Sequence, residues 1–287
     1  MSFLGARPPG AVVPGGLALF GIPYDTTASF RRGSRFGPDA IRWASDSIET
    51  YSPVLGRDLA DVPFTDGGNL AVEGLDPAVM VRRVRRQLPP CVPVVLGGEH
   101  TITLGVVQAL TPRHPDLAVI QWDAHTDLRE EYDGRRIAHA TVMRRLLEGG
   151  VPIAQLGIRA GTRDEFDLAR ARALCCEPGA AVPPAVLARL SGRPLYLSVD
   201  IDVLDPSEAP GTGNPEPMGV RFRDLLQAFR SLAGWRIVGM DLVEVAPPCD
   251  PSGRTAVLAA SLVREMILLF APRTAPHRRL RGEQERV

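Results

Sequence analysis

The chain has 287 residues, 45% of them hydrophobic, and its 33 basic side chains balance 33 acidic ones. That length and apolar content fit one large α/β domain with a sizeable core, and a balanced charge argues against nucleic acid or another polyanion as a partner. Every one of those basic residues is Arg, so there is no Schiff-base, P-loop or kinase-strand lysine, and pyridoxal chemistry and nucleotide phosphoryl transfer are poor candidates.

In chain order, residues 1–16 are rich in Pro and Gly and read as an extended N-terminal segment. Residues 17–22 are the first predicted strand. Residues 29–35 form a basic loop, and 38–45 a helix that opens on proline, which suits an early helical position. Residues 79–88 have helical spacing with a solvated, Arg-rich face. A strand follows at 92–96, a helix at 101–110 and a strand at 117–122. Further helices are predicted at 138–147, 183–190, 223–232 and 256–270, and further strands at 153–158, 195–199 and 237–243. Strands alternating with helices imply an α/β fold with a mostly parallel sheet covered on both faces. No repeat or linker divides residues 17–272, which read as one domain, and residues 273–287 read as a polar, basic tail. No apolar run reaches the ~18 residues of a membrane span, and the N-terminus lacks a secretory signal pattern. Cys91, Cys175, Cys176 and Cys249 form neither a C-x-x-C pair nor a disulfide framework. A reducing cytoplasm and no membrane association fit this picture.

Three of the predicted strands end in groups that bind metals. Gly97-Gly98-Glu99-His100 follows the strand at 92–96. Asp123, His125 and Asp127 follow the strand at 117–122, and Asp200 and Asp202 follow the strand at 195–199. Ligands of open α/β sheets gather beyond the carboxyl ends of the strands, so the clusters point at one place. Imidazole mixed with carboxylate suits Mn²⁺, Fe²⁺, Ni²⁺ or Zn²⁺. Two shared carboxylates among six ligands suit a metal pair, spaced ~3.5–4 Å in such sites. An extended segment would aim Asp123, His125 and Asp127 to one side, and Asp200 and Asp202 repeat that spacing. By itself His100 is as good a helix cap as a ligand. Asp205, before Pro206, shapes a turn. A lone His139 before a helix reads as structural, and Glu244 as a surface carboxylate.

The motifs GGEH, DAHTD and SVDIDVLDP, in this order and spacing, resemble the three signatures of the ureohydrolases, the family of arginase and agmatinase. FGIPYDTTASFRRGSRFGPDAIR, HATVMRR, PGTGNPEP and GMDLVEVAP extend the resemblance over roughly 17 to 270. It implies an arginase-like three-layer α/β/α fold and two Mn²⁺ per chain. By resemblance Asp123 and Asp200 bridge both metals, while His100, His125, Asp127 and Asp202 are terminal ligands. Asp127 would also relay a proton, His139 would serve as acid and base near the leaving amine, and Glu244 would clamp the substrate guanidinium with paired hydrogen bonds. Glu99 would stand outside the ligand shell. Many relatives have Gly where Ala140 stands, so its methyl could crowd the pocket. The implied reaction is hydrolysis of a guanidino compound to urea and an amine, in a homo-oligomer (trimer or hexamer).

After DAHTD the arginase-type readers of an amino-acid head are missing. Arg129, Glu130, Glu131 and Asp133 stand there instead, and this departure resembles agmatinase. An acidic loop suits the distal ammonium of agmatine, giving urea and putrescine, although each of these acids is by itself an ordinary solvated side chain. Arg129 would suit 4-guanidinobutyrate, and aminopropylagmatine or arginine are further alternatives. A non-catalytic member of the fold conflicts with the intact ligand set, and a metal-dependent deacetylase, expected to hold one metal and use a tyrosine, conflicts with the ligands for a second.

Overall fold

The computed structural model describes residues 1–7 and 15–271. Along the chain run β1 (Leu17–Ile22), α1 (Gly37–Ser45), a short hairpin of β2 (Tyr51–Ser52) and β3 (Arg57–Asp58), β4 (Phe64–Asn69), α2 (Pro77–Gln87), β5 (Val92–Gly97) and α3 (Ile102–Leu110). Then come β6 (Ala118–Trp122), α4 (Val142–Glu148), β7 (Ile153–Leu156), α5 (Arg163–Arg172), β8 (Cys175–Glu177), α6 (Pro184–Leu190), β9 (Leu195–Asp200), α7 (Phe222–Ser231), β10 (Ile237–Val243) and α8 (Arg254–Phe270). Eight strands form one sheet in the order β4-β1-β5-β10-β9-β6-β7-β8, and every pair in it is parallel.

Strand side chains alternate between two cores, as the two-residue period of a strand requires. Leu17, Leu19, Leu96, Trp122 and Leu197 pack with α1, α6, α7 and α8 on one face. Ala18, Phe20, Ile22, Val95 and Tyr196 pack with α2, α3, α4 and α5 on the other. This is the expected three-layer α/β/α arrangement. The chain passes from β5 to β6 across a gap of two strand positions, which β9 and β10 fill later. That crossover brings the carboxyl ends of β5, β10, β9 and β6 side by side in the middle of the sheet.

The predicted strands at 17–22 and 237–243 match β1 and β10 residue for residue. The predicted helix at 138–147 divides into a tight 3-10 turn over His139–Thr141 and α4. Three elements carry no apolar periodicity that announces them. β4 contains Asp66, Gly67 and Gly68 and is held by pairing with β1. α5 is polar, and β8 is 3 residues long. Of the segment expected to be extended, residues 8–14 lie outside the described residues, but Phe3 is buried and its amide donates to Asp66 Oδ2 at 2.9 Å. The basic tail at 273–287 also lies outside the described residues. All four cysteines are free, and no helix among the described residues is long and apolar enough to cross a membrane.

Candidate metal centre

The chain turns sharply after β5 because Gly98 lies against the backbone of Tyr24. A Cβ at Gly98 would stand 2.0 Å from the Tyr24 carbonyl oxygen, so only glycine allows this approach. The turn delivers His100 to the centre of the sheet. Its Nδ1 lies 3.0 Å from Asp123 Oδ2, 3.0 Å from Asp127 Oδ2 and 3.5 Å from Asp200 Oδ2. His125 Nδ1 lies 2.9 Å from Asp202 Oδ2 and 3.6 Å from Asp123 Oδ1. Two ligand groups result, His100–Asp123–Asp127 and Asp123–His125–Asp202, and Asp123 belongs to both.

Simple extended alternation does not create this cluster. Asp127 sits in the left-handed region at φ 54, and Asp202 lies in the 3-10 turn Ile201–Val203, where its amide donates to Asp200 Oδ1 at 2.9 Å. The side chains do meet at one place, as expected, but through bends at Asp127 and in the Asp202 turn rather than through an unbroken extended segment. Glu244, at φ 63, is held the same way: its amide donates to the Gly98 carbonyl at 2.8 Å. Left-handed backbone at non-glycine residues costs about 1–3 kcal/mol and concentrates at functional sites.

The donor set fits cations. Ser198 Oγ donates to Asp241 Oδ1 at 2.7 Å, so its oxygen is left to accept from His100 Nε2 at 2.9 Å. In a neutral His100, Nδ1 would then carry the lone pair. It is buried without a hydrogen-bond partner, although it lies at ion-pair distance from carboxylates. Three carboxylates around one nitrogen call for positive charge there: a proton on Nδ1, which burial opposes and these aspartates favour, or a divalent ion held by the same atoms. The titration behaviour points the same way. Burial opposes charge on His125, but Asp202 and Asp123 push it up to about 12. Burial and the charge of Asp123 push Asp127 up to about 7, and burial, with Asp202 and Asp123, raises Asp200 well above the ordinary range. Burial would also raise Asp123, yet the two histidines hold it well below the ordinary range.

Glu99 stays out of both ligand groups. Its Oε1 accepts from the Thr27 and Thr101 hydroxyls at 2.6 Å each, and its Oε2 accepts from the Thr27 amide at 2.6 Å. Burial raises its carboxyl, and these bonds oppose the rise. His139 lines the same cavity of about 500 Å³, with its ring edge-on to Tyr132 at 4.9 Å. Burial, then the neighbouring His125 and His100, push His139 down to about 4. Glu244 Oε1 accepts the His100 amide at 2.8 Å, and burial with the charge of Glu99 raises Glu244 to about 8. A guanidinium would lower that value by favouring the ionised carboxylate. Ala140 also lines the cavity.

Of the loop expected to read the substrate, Arg129 lines the cavity and Glu130, Glu131 and Asp133 do not. Glu130 turns outward to Arg144 at 3.2 Å. Asp133, at φ 49, and Gly134, at φ 70, make the tight turn between Tyr132 and Arg135. Tyr132 and Glu216 line the cavity instead, and Glu216 Oε1 lies 4.0 Å from His125 Nε2.

Several supporting residues escaped the sequence reading. Gln121 Nε2 donates to Asp123 Oδ2 at 2.7 Å, and Gln155 Nε2 donates to Gln121 Oε1 at 2.7 Å. The signal for them was a glutamine within each of two apolar runs. Arg159 donates to the carbonyls of Pro217, Gly157, Val203, Asp202 and Glu216 at 2.7–3.3 Å. It thereby staples the Asp202 turn to the Glu216 loop. Glu165 pairs with Thr162 as a capping box at the start of α5 and also accepts from Thr126 Oγ1 at 2.8 Å and the Leu128 amide at 3.2 Å. The T-x-x-E spacing could have located both α5 and this brace.

A family model described as "Arginase family" matches residues 16–269. An agmatinase of Bacillus subtilis (strain 168) is 40% identical over 263 residues, covering 88% of this chain and 91% of its own length. An N(1)-aminopropylagmatine ureohydrolase of Thermococcus kodakarensis is 40% identical over 260 residues, covering 83% of this chain and 86% of its own. The crystal structure of agmatine ureohydrolase of Thermoplasma volcanium superposes with a TM-score of 0.80 at 32% identity, covering 94% of each chain. With this match along most of its length, and with its strand-end histidines and aspartates gathered at the centre of the sheet, the chain belongs to the arginase family.

Proposed function

We propose that this chain hydrolyses the guanidino group of agmatine to urea and putrescine, with two divalent ions held by His100, Asp123, His125, Asp127, Asp200 and Asp202. The observation that carries the reading is the pair of ligand groups sharing Asp123, beside a carboxylate, Glu244, on the same cavity. A metal pair supplies, when bound, Lewis acidity that brings the pKa of a water near neutrality. Glu244 holds the guanidinium and sets its carbon in place for attack. Asp127 accepts a proton from the attacking water, and His139 delivers one to the leaving amine. Mixed imidazole and carboxylate ligands suit Mn²⁺. Residues 17–272 act as one catalytic unit, working in the cytoplasm as a homo-oligomer. Sedimentation at 31.0 kDa would remove the oligomer without touching the chemistry.

A second reading, 4-guanidinobutyrate as substrate, is favoured by one observation. Arg31 and Arg129 line the cavity, whereas Glu130, Glu131 and Asp133 do not. The deciding experiment is urea release by the Mn²⁺-loaded protein from agmatine, aminopropylagmatine, guanidinobutyrate, guanidinopropionate and arginine, with elemental analysis alongside. Agmatine is expected to show the highest kcat/KM, with metal approaching two ions per chain. Preference for guanidinobutyrate overturns the substrate, and full activity at one ion overturns the pair.

A further inference from the structure

Proton transfer at one imidazole nitrogen depends on what the other nitrogen is bonded to. For His139 that second partner is Thr27, in the loop after β1. Thr27 Oγ1 lies 3.2 Å from His139 Nδ1 and also accepts the His139 amide at 3.1 Å. A hydroxyl has one hydrogen to give. Three groups compete for it: Glu99 Oε1 at 2.6 Å, His139 Nδ1 at 3.2 Å and Thr101 Oγ1 at 3.3 Å. Glu99 is the nearest, and its oxygens meet donors from Thr27 and Thr101 only, the arrangement of an accepting carboxylate. Short bonds to a carboxylate are also the stronger ones. The Thr27 hydrogen therefore points to Glu99, and the face of the oxygen turned to His139 is a lone pair. Opposite a lone pair, Nδ1 must carry a hydrogen.

We infer that Thr27, backed by Glu99, is a positioning residue that holds His139 as the Nδ1–H tautomer and leaves Nε2 as the nitrogen offered to the cavity. Thr27, Glu99 and Thr101 are buried, so water does not compete for these bonds. When Nε2 takes a proton, the imidazolium keeps its Nδ1–H on Thr27. When Nε2 passes that proton to the leaving amine nitrogen, the ring returns to the same neutral tautomer. Each turnover then begins with the basic nitrogen already facing substrate.

The role in turnover rests on the function proposed above, but the tautomer does not, and the test separates the two. Nitrogen-15 NMR of the full chain saturated with zinc, a diamagnetic ion, at a pH where the ring is neutral, is expected to show His139 as Nδ1–H. Its signal is assigned from its disappearance in His139→Asn. An Nε2–H ring overturns the inference whether or not the chain hydrolyses agmatine. Thr27→Val is expected to lose the single tautomer and to lower kcat about 10–100-fold, the usual cost of an outer supporting partner, with KM little changed. Thr27→Ser, which keeps the hydroxyl, is expected to restore both. A Thr27→Val protein that keeps wild-type kcat and the Nδ1–H ring also overturns it. Should Thr27→Val fail to fold, the native spectrum and the serine variant still decide.

Discussion

Asp66 and Asp123 are both buried carboxylates of the central sheet, and they are answered in opposite ways. Asp66 accepts from Arg42 Nε at 2.8 Å and Nη2 at 2.9 Å, and from the Phe3 and Gly68 amides at 2.9 and 3.0 Å. Arg42 turns its remaining nitrogen, Nη1, to Asn69 at 2.6 Å. Charge and hydrogen bonds close within the chain. Asp123 accepts from Gln121 and from the His125 amide at 2.7 and 2.6 Å, yet it shares its surroundings with three more buried aspartates, Asp127, Asp200 and Asp202. Among the described residues they are offered two imidazoles and no Arg side chain. A closed network of buried charge is structural, whereas four clustered carboxylates set against two imidazoles are a donor set open to a cation from outside.

The contrast can be broken from either side. The largest effect is expected for Asp123→Ala, which removes the side chain common to both ligand groups. Elemental analysis should find paired metal lost, and urea release should fall by about 10³-fold or more, since the metals supply several kcal/mol of transition-state stabilisation. Wild-type turnover in this variant would sink the ligand assignment. Next comes His139→Asn, which leaves the metal cluster intact. It should retain its metal and lose about 10²–10⁴-fold in kcat, the range of general acid–base catalysis; metal loss would place His139 among the ligands. Arg42→Ala tests the closed network. It strands Asp66 without its charge partner, so denaturant melts should show about 3–5 kcal/mol of lost stability, while metal content per folded chain stays the same. A smaller loss would mean that the Phe3 and Gly68 amides suffice for Asp66. The smallest effect is expected for Glu130→Gln. Its pair with Arg144 is exposed, and such pairs contribute about 0–1 kcal/mol. The ratio of kcat/KM for agmatine to that for arginine should barely move, and a large fall would return Glu130 to substrate recognition.

The two networks also differ in how well the sequence displays them. The open site was legible because its residue types are specific. A histidine set between aspartates directly after an apolar run is a poor helix cap and a good candidate ligand, and the strand ends that carry such groups meet through ordinary parallel topology. Nothing local marks the Arg42–Asp66 pair, whose members stand 24 residues apart. The acidic loop misled for a related reason. Composition registers charge but not direction, and Glu130 pairs with Arg144 outside the cavity. β4 and α5 were missed because pairing with β1 and a capping box, rather than apolar periodicity, define them.

By itself the sequence determined the α/β class, most of the core strands and helices, and the chemistry of the residues at the strand ends, because hydrophobic period and ligand type are written residue by residue. Tertiary structure alone decided which of those residues meet. It set the left-handed turns at Asp127 and Glu244, the five-carbonyl clamp of Arg159, and the Glu99–Thr27–His139 chain, whose hydroxyl bridges partners 72 and 112 residues away. Such bonds depend on where folded loops come to rest in space, and no local pattern of side chains encodes that.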